Sequence, residues 1–409
     1  MSKCAKLRSD KRLYAVGRFL HRPAASVYSL TNYEPMRLSS LLCLCSFALC
    51  LTACPPMNNN QQNGGNTSGF NRKAMLEQYA DRLIIPNYND LQTAVTELET
   101  TVNTFAATPS INTLANAQTA WDKAYTAWQH CSMFDFGPAD EPLGMLSQEL
   151  GTFPTAPNLI ETALRERTFT TANFQRDTRG FPAIEYLLFS DSTVGASRER
   201  VVMRFVGDTV RGSVLRTMVQ DVKMKVGNVV AKWRNSYRTT FVANDGTNVG
   251  SATSLLFNTF VINYEQLKNF KFGVPAGLRA GQTRTEPQRV EGYWSGQSLK
   301  YAKEHLAAVE NVWAGRSKAG GQDFTGFEEY LNNVQGGKEL VTNTKAQLAN
   351  TKTALATIPA NTTLAATIEA TPASVQTTFT ELQKLTRFFK SDMSSLLGLQ
   401  ITFSSGDGD

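Results

Sequence analysis

The chain has 409 residues, with 41 Lys/Arg against 35 Asp/Glu, a formal charge of +6, six cysteines and three histidines. That length supports about two domains and a full apolar core. Eight of the basic residues but only two of the acidic ones precede residue 54, so the part beyond residue 53 carries 33 of each and is neutral. A neutral chain gives no electrostatic case for a nucleic-acid partner.

The first element in chain order is an apolar run of eleven residues, Leu41 to Leu51, preceded by Arg37 and followed by Thr52-Ala53-Cys54. A membrane span needs roughly 20 apolar residues, so the run is too short to cross a bilayer and fits the core of an export signal. The small residues before Cys54 resemble a bacterial lipobox, which makes Cys54 the expected lipidation site and the membrane a partner through that anchor. Residues 1–35 lack an apolar period, and Met36 would start a signal of ordinary shape; translation from Met36 is therefore expected. Residues 1–53 are assigned to this prepeptide. Four of the six cysteines lie within it, and lipidation of Cys54 would leave only Cys131. That arrangement excludes an intrachain disulfide framework and cysteine-ligated zinc or iron–sulfur sites; Cys131 reads as a buried thiol.

Residues 54–71 read as the lipidated cysteine and a polar tether of Asn, Gln, Gly and Pro, with a reach of roughly 20–25 Å. From Arg72 the apolar period is helical. Trp121, Tyr125 and Trp128 recur at helical spacing, as do Val214, Met218, Val222, Val226, Val229, Trp233, Tyr237 and Phe241. Leu299, Ala302, Leu306, Val309 and Val312 repeat the pattern. Such stripes predict an all-α chain of long packed helices. Only Leu399 to Phe403 alternates like a strand. Pro86 should kink the first helix, and residues 151–158 and 274–296 read as irregular. The turn cluster 243–250 is the expected boundary between an N-terminal helical domain, 72–242, and a C-terminal one, 251–409.

Most enzyme templates are missing. Beyond residue 53 only His130 and His305 remain, and the sequence has no His-Glu-x-x-His, phosphate loop or nucleophile elbow. The informative segment is Gly180-Phe-Pro182-Ala-Ile-Glu185, where glycine breaks the chain, Pro182 suits a first helical turn, and Glu185 projects near the helix opening. On physics alone, a first-turn carboxylate favoured by the helix dipole is the simpler reading. His130 reads as a satisfied histidine near a helix end, with metal ligation as the alternative. Asp135 is either a cleft or a loop carboxylate. Ser295 and Ser298 precede a helix, and N-capping should explain at least one of them. Asp407-Gly-Asp409 reads as a solvated tail.

Four segments in order resemble the imelysin family of bacterial envelope proteins. They are Trp121 to Pro138, Gly180 to Glu185 (the family's Gly-x-His-x-x-Glu), Glu291 to Ser298, and the terminus from Leu397. The resemblance implies two helical-bundle domains with a site between them and a role in iron uptake, in a family first named for a proposed peptidase activity. Two departures stand out: Pro182 occupies the histidine position, and Ser132 a position that is often glutamate. Both weigh against a metallopeptidase, because activated-water chemistry needs a held metal and a base.

The expected function is therefore a non-catalytic binding lipoprotein associated with iron uptake. The alternatives are an imelysin-type metallopeptidase and a structural envelope protein. Its ligand-binding residues would be Gly180, Glu185, Arg179, Asp135, His130, Glu291 and Ser298, with Arg179 a possible hydrogen-bond donor to Glu185. The Phe134–Pro138 loop should line the same cleft. No cofactor is firmly implied; iron or an iron chelate is the candidate, and other iron-uptake envelope proteins are candidate partners. The expected location is the cell envelope, anchored to the outer membrane and facing the periplasm or the surface.

Overall fold

Helical periodicity becomes structure almost everywhere in the computed structural model, which describes residues 69–141, 144–317, 321–370 and 373–403. The export signal, the Met36 start, Cys54, nearly all of the tether and Asp407–Asp409 lie outside the described residues. The chain is all-α. Among the described residues, strand pairing is confined to the two-residue pair Asp140–Glu141 with Gly144–Met145 and one isolated bridge.

The first helical stretch runs from Arg72 to Ala107 and is interrupted by a π-helical turn at Ala80–Ile84. Pro86 sits in the first turn of the following segment, Ile85–Ala107. Its ring forbids the ordinary bond to the preceding turn, and the wider turn is one known way to absorb such a defect. Ser110 opens the next helix, Ile111–Gln129, with a capping box to Thr113. The Val214-to-Phe241 stripe is one continuous rod, Thr209–Lys232, a π turn at Trp233–Tyr237, and Arg238–Ala243. All of its stripe residues are buried except the half-buried Tyr237.

Helix Ile85–Ala107 packs against both Ile111–Gln129 and Thr209–Lys232, and the short helix Gly180–Phe189 lies against the latter two. After the turn at residues 244–251 come Ala252–Gln266, a π segment Leu267–Gly273, the irregular stretch through residue 297, and helix Ser298–Ala314. That last helix packs on Ile111–Gln129, so the carboxyl-terminal helices meet the amino-terminal ones along the tryptophan-bearing helix. Gly337–Ala356 and Ala373–Thr386 pair beyond it. No helix of the described residues is long and apolar enough to cross a membrane.

Leu399 to Phe403, which alternates like a strand, does not form one. Asn258 takes the place of a partner strand: its Nδ2 donates to the Gln400 carbonyl at 3.0 Å, and its Oδ1 accepts from the Thr402 N–H at 2.8 Å. One side-chain amide thus satisfies backbone groups that a neighbouring strand would otherwise pair. Cys131 is buried and forms no disulfide among the described residues.

Candidate functional site

Four elements bring polar side chains into the middle of this apolar scaffold. Tyr125 and Gln129, one helical turn apart, project from the same face of Ile111–Gln129. Both donate to Glu291 Oε1, at 2.8 and 3.2 Å. Lys271 enters from the π segment, its Nζ 2.6 Å from Glu291 Oε2 and 2.6 Å from Gln129 Oε1. Glu185, from Gly180–Phe189, accepts from the Ser295 N–H at 2.7 Å. Lys271, Glu291, Gln129 and Glu185 are all buried.

The electrostatics divide this group in two. Burial pulls the Lys271 ammonium down from its ordinary value, and the Glu291 carboxylate holds part of it back. Lys271 and Glu291 therefore form a compensated ion pair. Among the described residues, Glu185 has no such cation. Burial pushes its carboxyl up to about 7; the Ser295 and Trp294 N–H groups resist, and the negative Glu291 adds to the rise. It borders a cavity of about 460 Å³ together with Pro182, Thr155, Arg289, Tyr293 and Trp294.

The turn that presents Glu185 depends on Gly180. Its φ is +75°, and a Cβ there would stand 2.6 Å from the Leu150 carbonyl oxygen, so only glycine fits. Pro182 falls in the first turn, as expected, where a missing N–H costs least.

Arg179 does not reach toward Glu185. Its guanidinium pairs with Glu149 at 2.8 Å and also bonds Asn173. Glu149 gathers Arg179, Arg176 and Lys225 at 2.8 to 3.0 Å, which ties helix Leu146–Gly151 to the turn before Gly180. Burial alone would raise the Glu149 carboxyl, but the three cations outweigh it and lower it from 4.5 to about 2. A lowered carboxylate stabilises the fold above its unfolded value and loses that contribution as the pH falls through its folded one. About 2 kcal/mol should therefore be lost between pH 4.5 and 2. Urea titrations across that window should show the loss in the wild type and a flatter profile in Glu149→Gln; equal slopes would refute the clamp.

The other expected site residues scatter. Asp135 accepts from the Ser147 N–H at 3.1 Å and from its hydroxyl; burial raises it to about 6 despite those bonds. Phe134 and Phe136 are buried; Phe136 packs on Trp233 and Phe241. The Phe134–Pro138 loop thus turns into the core and borders neither the Glu185 cavity nor the smaller one beside Glu291. His130 is buried at the helix end with Nε2 3.0 Å from Glu304, but its Nδ1 is buried without a hydrogen-bond partner among the described residues, so the ring is only half satisfied. Neither serine is the expected helix cap. Ser298 is the first helical residue, and its hydroxyl donates to the Gly292 carbonyl at 3.4 Å. The Ser295 hydroxyl closes a turn to the same carbonyl.

Sequence reasoning had singled out Glu185 and Glu291, and the fold does bring their segments together through the Ser295 N–H. It missed Lys271, Tyr125, Gln129 and His305. In the sequence Tyr125 reads as part of an apolar stripe, although Gln129 four residues on shares its face. A lysine between Phe270 and Phe272 was the available signal for a buried charge. Among the described residues, no three His, Cys, Asp or Glu side chains converge as ligands for an ion. With Glu291 already neutralised by Lys271, the residues do not fit a resident transition metal, which usually takes several N, O or S ligands.

Comparison with known proteins identifies the family and the fold. The imelysin family model matches residues 84–388. Iron-regulated protein A of Synechococcus elongatus is 22% identical over 268 residues, covering 63% of this chain and 68% of the relative. Two solved structures share the fold. One, described as an iron-regulated protein A precursor from Parabacteroides distasonis, has a TM-score of 0.67 at 19% identity and covers 80% of this chain and 97% of its own. The other, an imelysin-like protein from Psychrobacter arcticum, has a TM-score of 0.64 at 17% identity and covers 81% and 97%. With a family match spanning most of the chain and the four motif segments inside or beside it, this chain belongs to the imelysin family.

Proposed function

We propose that this chain is a non-catalytic binding component of the bacterial cell envelope, tied to iron uptake and anchored by lipid at Cys54. It holds a small ligand or a chelated metal beside Glu185, where its two helical halves meet, and acts with other envelope proteins of iron acquisition. One observation carries the binding role. Glu185 is buried against a cavity, has no cationic partner among the described residues to balance it, and is held near a neutral pKa. Buried, perturbed carboxyls at a cavity wall are characteristic of sites rather than of cores.

The iron connection rests on the name of the Synechococcus relative. The non-catalytic reading rests on the residues themselves. Glu185 stands alone as a potential base, Pro182 offers no imidazole, and no ligand set surrounds it. The anchor rests on the apolar run and Cys54 in the sequence. Deleting the gene should slow growth when iron is limiting and leave growth unchanged when iron is plentiful. Cys54→Ala should move the protein from the membrane fraction to the soluble one. Equal growth under both conditions would remove the iron role, and a membrane-bound Cys54→Ala would remove the anchor.

A further inference from the structure

The cavity beside Glu185, of about 460 Å³, is walled by three aromatic residues, Phe153, Tyr293 and Trp294, and by prolines. Tyr293 packs edge-on against Trp294 with ring centroids 5.1 Å apart, and Trp294 packs the same way on Tyr186, which holds both rings in place. Pro154 and Gln288 also line the cavity and are exposed, so it opens to solvent. A dry cavity of about 150 Å³ accommodates benzene, so this one has room for a larger organic molecule.

Two charged residues line this cavity, and they differ in what they have left to offer. The Arg289 side chain is 43% exposed and is paired with Glu286 at 3.1 Å. Glu185 is buried, and its Oε1 accepts the Ser295 N–H. The Ser295 hydroxyl is directed to the Gly292 carbonyl instead. Oε2 accepts no hydrogen bond of good geometry among the described residues, yet it is not one of the oxygens sealed inside the protein without a partner. It therefore keeps open surface on the cavity that Glu185 lines. A carboxylate so placed has a charge to meet and nothing within the described residues that meets it.

The lining sorts the classes of occupant. An anion would face the carboxylate. A bare metal ion needs several ligands and would find a single carboxylate here. An organic cation meets the charge of Glu185 with its own. Its alkyl groups then lie among aromatic residues, whose negative ring faces attract a cation further. Resting on the binding role assigned to Glu185 above, we propose that this cavity binds a small organic cation, an alkylated ammonium, with its positive charge at the Glu185 carboxylate and its alkyl groups among Phe153, Tyr293 and Trp294.

Choline is the probe, because its charge is fixed at every working pH. Dimethylbutanol, in which a carbon atom replaces the charged nitrogen, is the neutral control. Calorimetric titration of the purified protein at pH 8 should show saturable choline binding with a Kd of about 0.1–1 mM, and the alcohol should bind about tenfold more weakly or not at all. With the Glu185 carboxyl raised to about 7, choline affinity should fall about tenfold from pH 8 to pH 6, as the ionised fraction does. Tyr125, Tyr293 and Tyr301 are all raised by burial and stay protonated throughout, Arg289 stays charged, and Glu291 keeps Lys271. Glu185→Gln should weaken binding at pH 8 at least about tenfold and abolish its pH dependence, and a folded Tyr293→Leu should lose about fivefold. Absence of saturable choline binding at pH 8 overturns the proposal, as does equal binding of the alcohol or an affinity unchanged by either substitution. If choline fails while Glu185→Ala still cannot support growth on limiting iron, the binding role stands and the class of ligand falls. Normal growth from a stable Glu185→Ala protein removes the binding role itself.

Discussion

Lys271→Met should destabilise the protein by about 3–5 kcal/mol, because it strands the Glu291 carboxylate in a buried site with its cation removed. The side chains are similar in length and both are largely apolar, so packing is nearly preserved and charge is the main change. Tyr125 and Gln129 still donate to Glu291 in the variant, but two neutral hydrogen bonds do not replace an ammonium 2.6 Å away. The stranded carboxyl would take up a proton, so the loss should be smaller at pH 5 than at pH 8. Lys271→Met combined with Glu291→Gln removes both charges and should recover much of the loss. Denaturant titrations of the single and double variants supply the check. A single variant within about 1 kcal/mol of wild type would show that the pair contributes little, as exposed pairs do.

Glu185→Gln should have the opposite sign. The folded carboxyl titrates near 7 against an ordinary 4.5. The folded state therefore binds its proton more tightly than the unfolded chain does. The associated stability is fully present below about pH 4.5 and is lost as the pH rises through 7, at up to about 3 kcal/mol. Glutamine keeps the shape and an oxygen acceptor for the Ser295 N–H while removing the charge. It should raise the melting temperature at pH 8 and leave it nearly unchanged at pH 5. A residue whose replacement stabilises the fold is held there by something other than folding, which is the expected mark of a binding group. Destabilisation at both pH values would make Glu185 a structural residue.

Much of this architecture was legible in the sequence because its cause is local. The stripe from Val214 to Phe241 shows helical periodicity through its own spacing, and Gly180 and Pro182 mark a helix start through their own dihedral preferences. The turn at residues 243–250 announced itself by composition. What failed was decided by distant groups. Leu399 to Phe403 alternates like a strand, yet its backbone is satisfied by Asn258, which local patterning cannot see. Arg179 lies next to the Glu185 helix in sequence, but three cations meet on Glu149, and only the tertiary fold brings them together. Lys271 was overlooked because a π segment, with its irregular phase, turns it inward and its neighbour Phe270 outward. Ser295 and Ser298 precede a helix and so look like caps, but both hydroxyls donate to the Gly292 carbonyl, and the Ser295 oxygen accepts from the Gln297 N–H ahead of the helix rather than from its first turn.

The central claim is that the buried carboxyl beside Pro182 serves binding rather than folding. Its most direct test is complementation of the deletion strain on limiting iron by Glu185→Ala, with Glu381→Ala as a control for removing a glutamate elsewhere, and the melting temperature of each purified protein measured alongside. Lost growth from a Glu185→Ala protein that melts no lower than wild type, with normal growth from Glu381→Ala, is the predicted result. Full growth supported by a stable, normally expressed Glu185→Ala protein would contradict it.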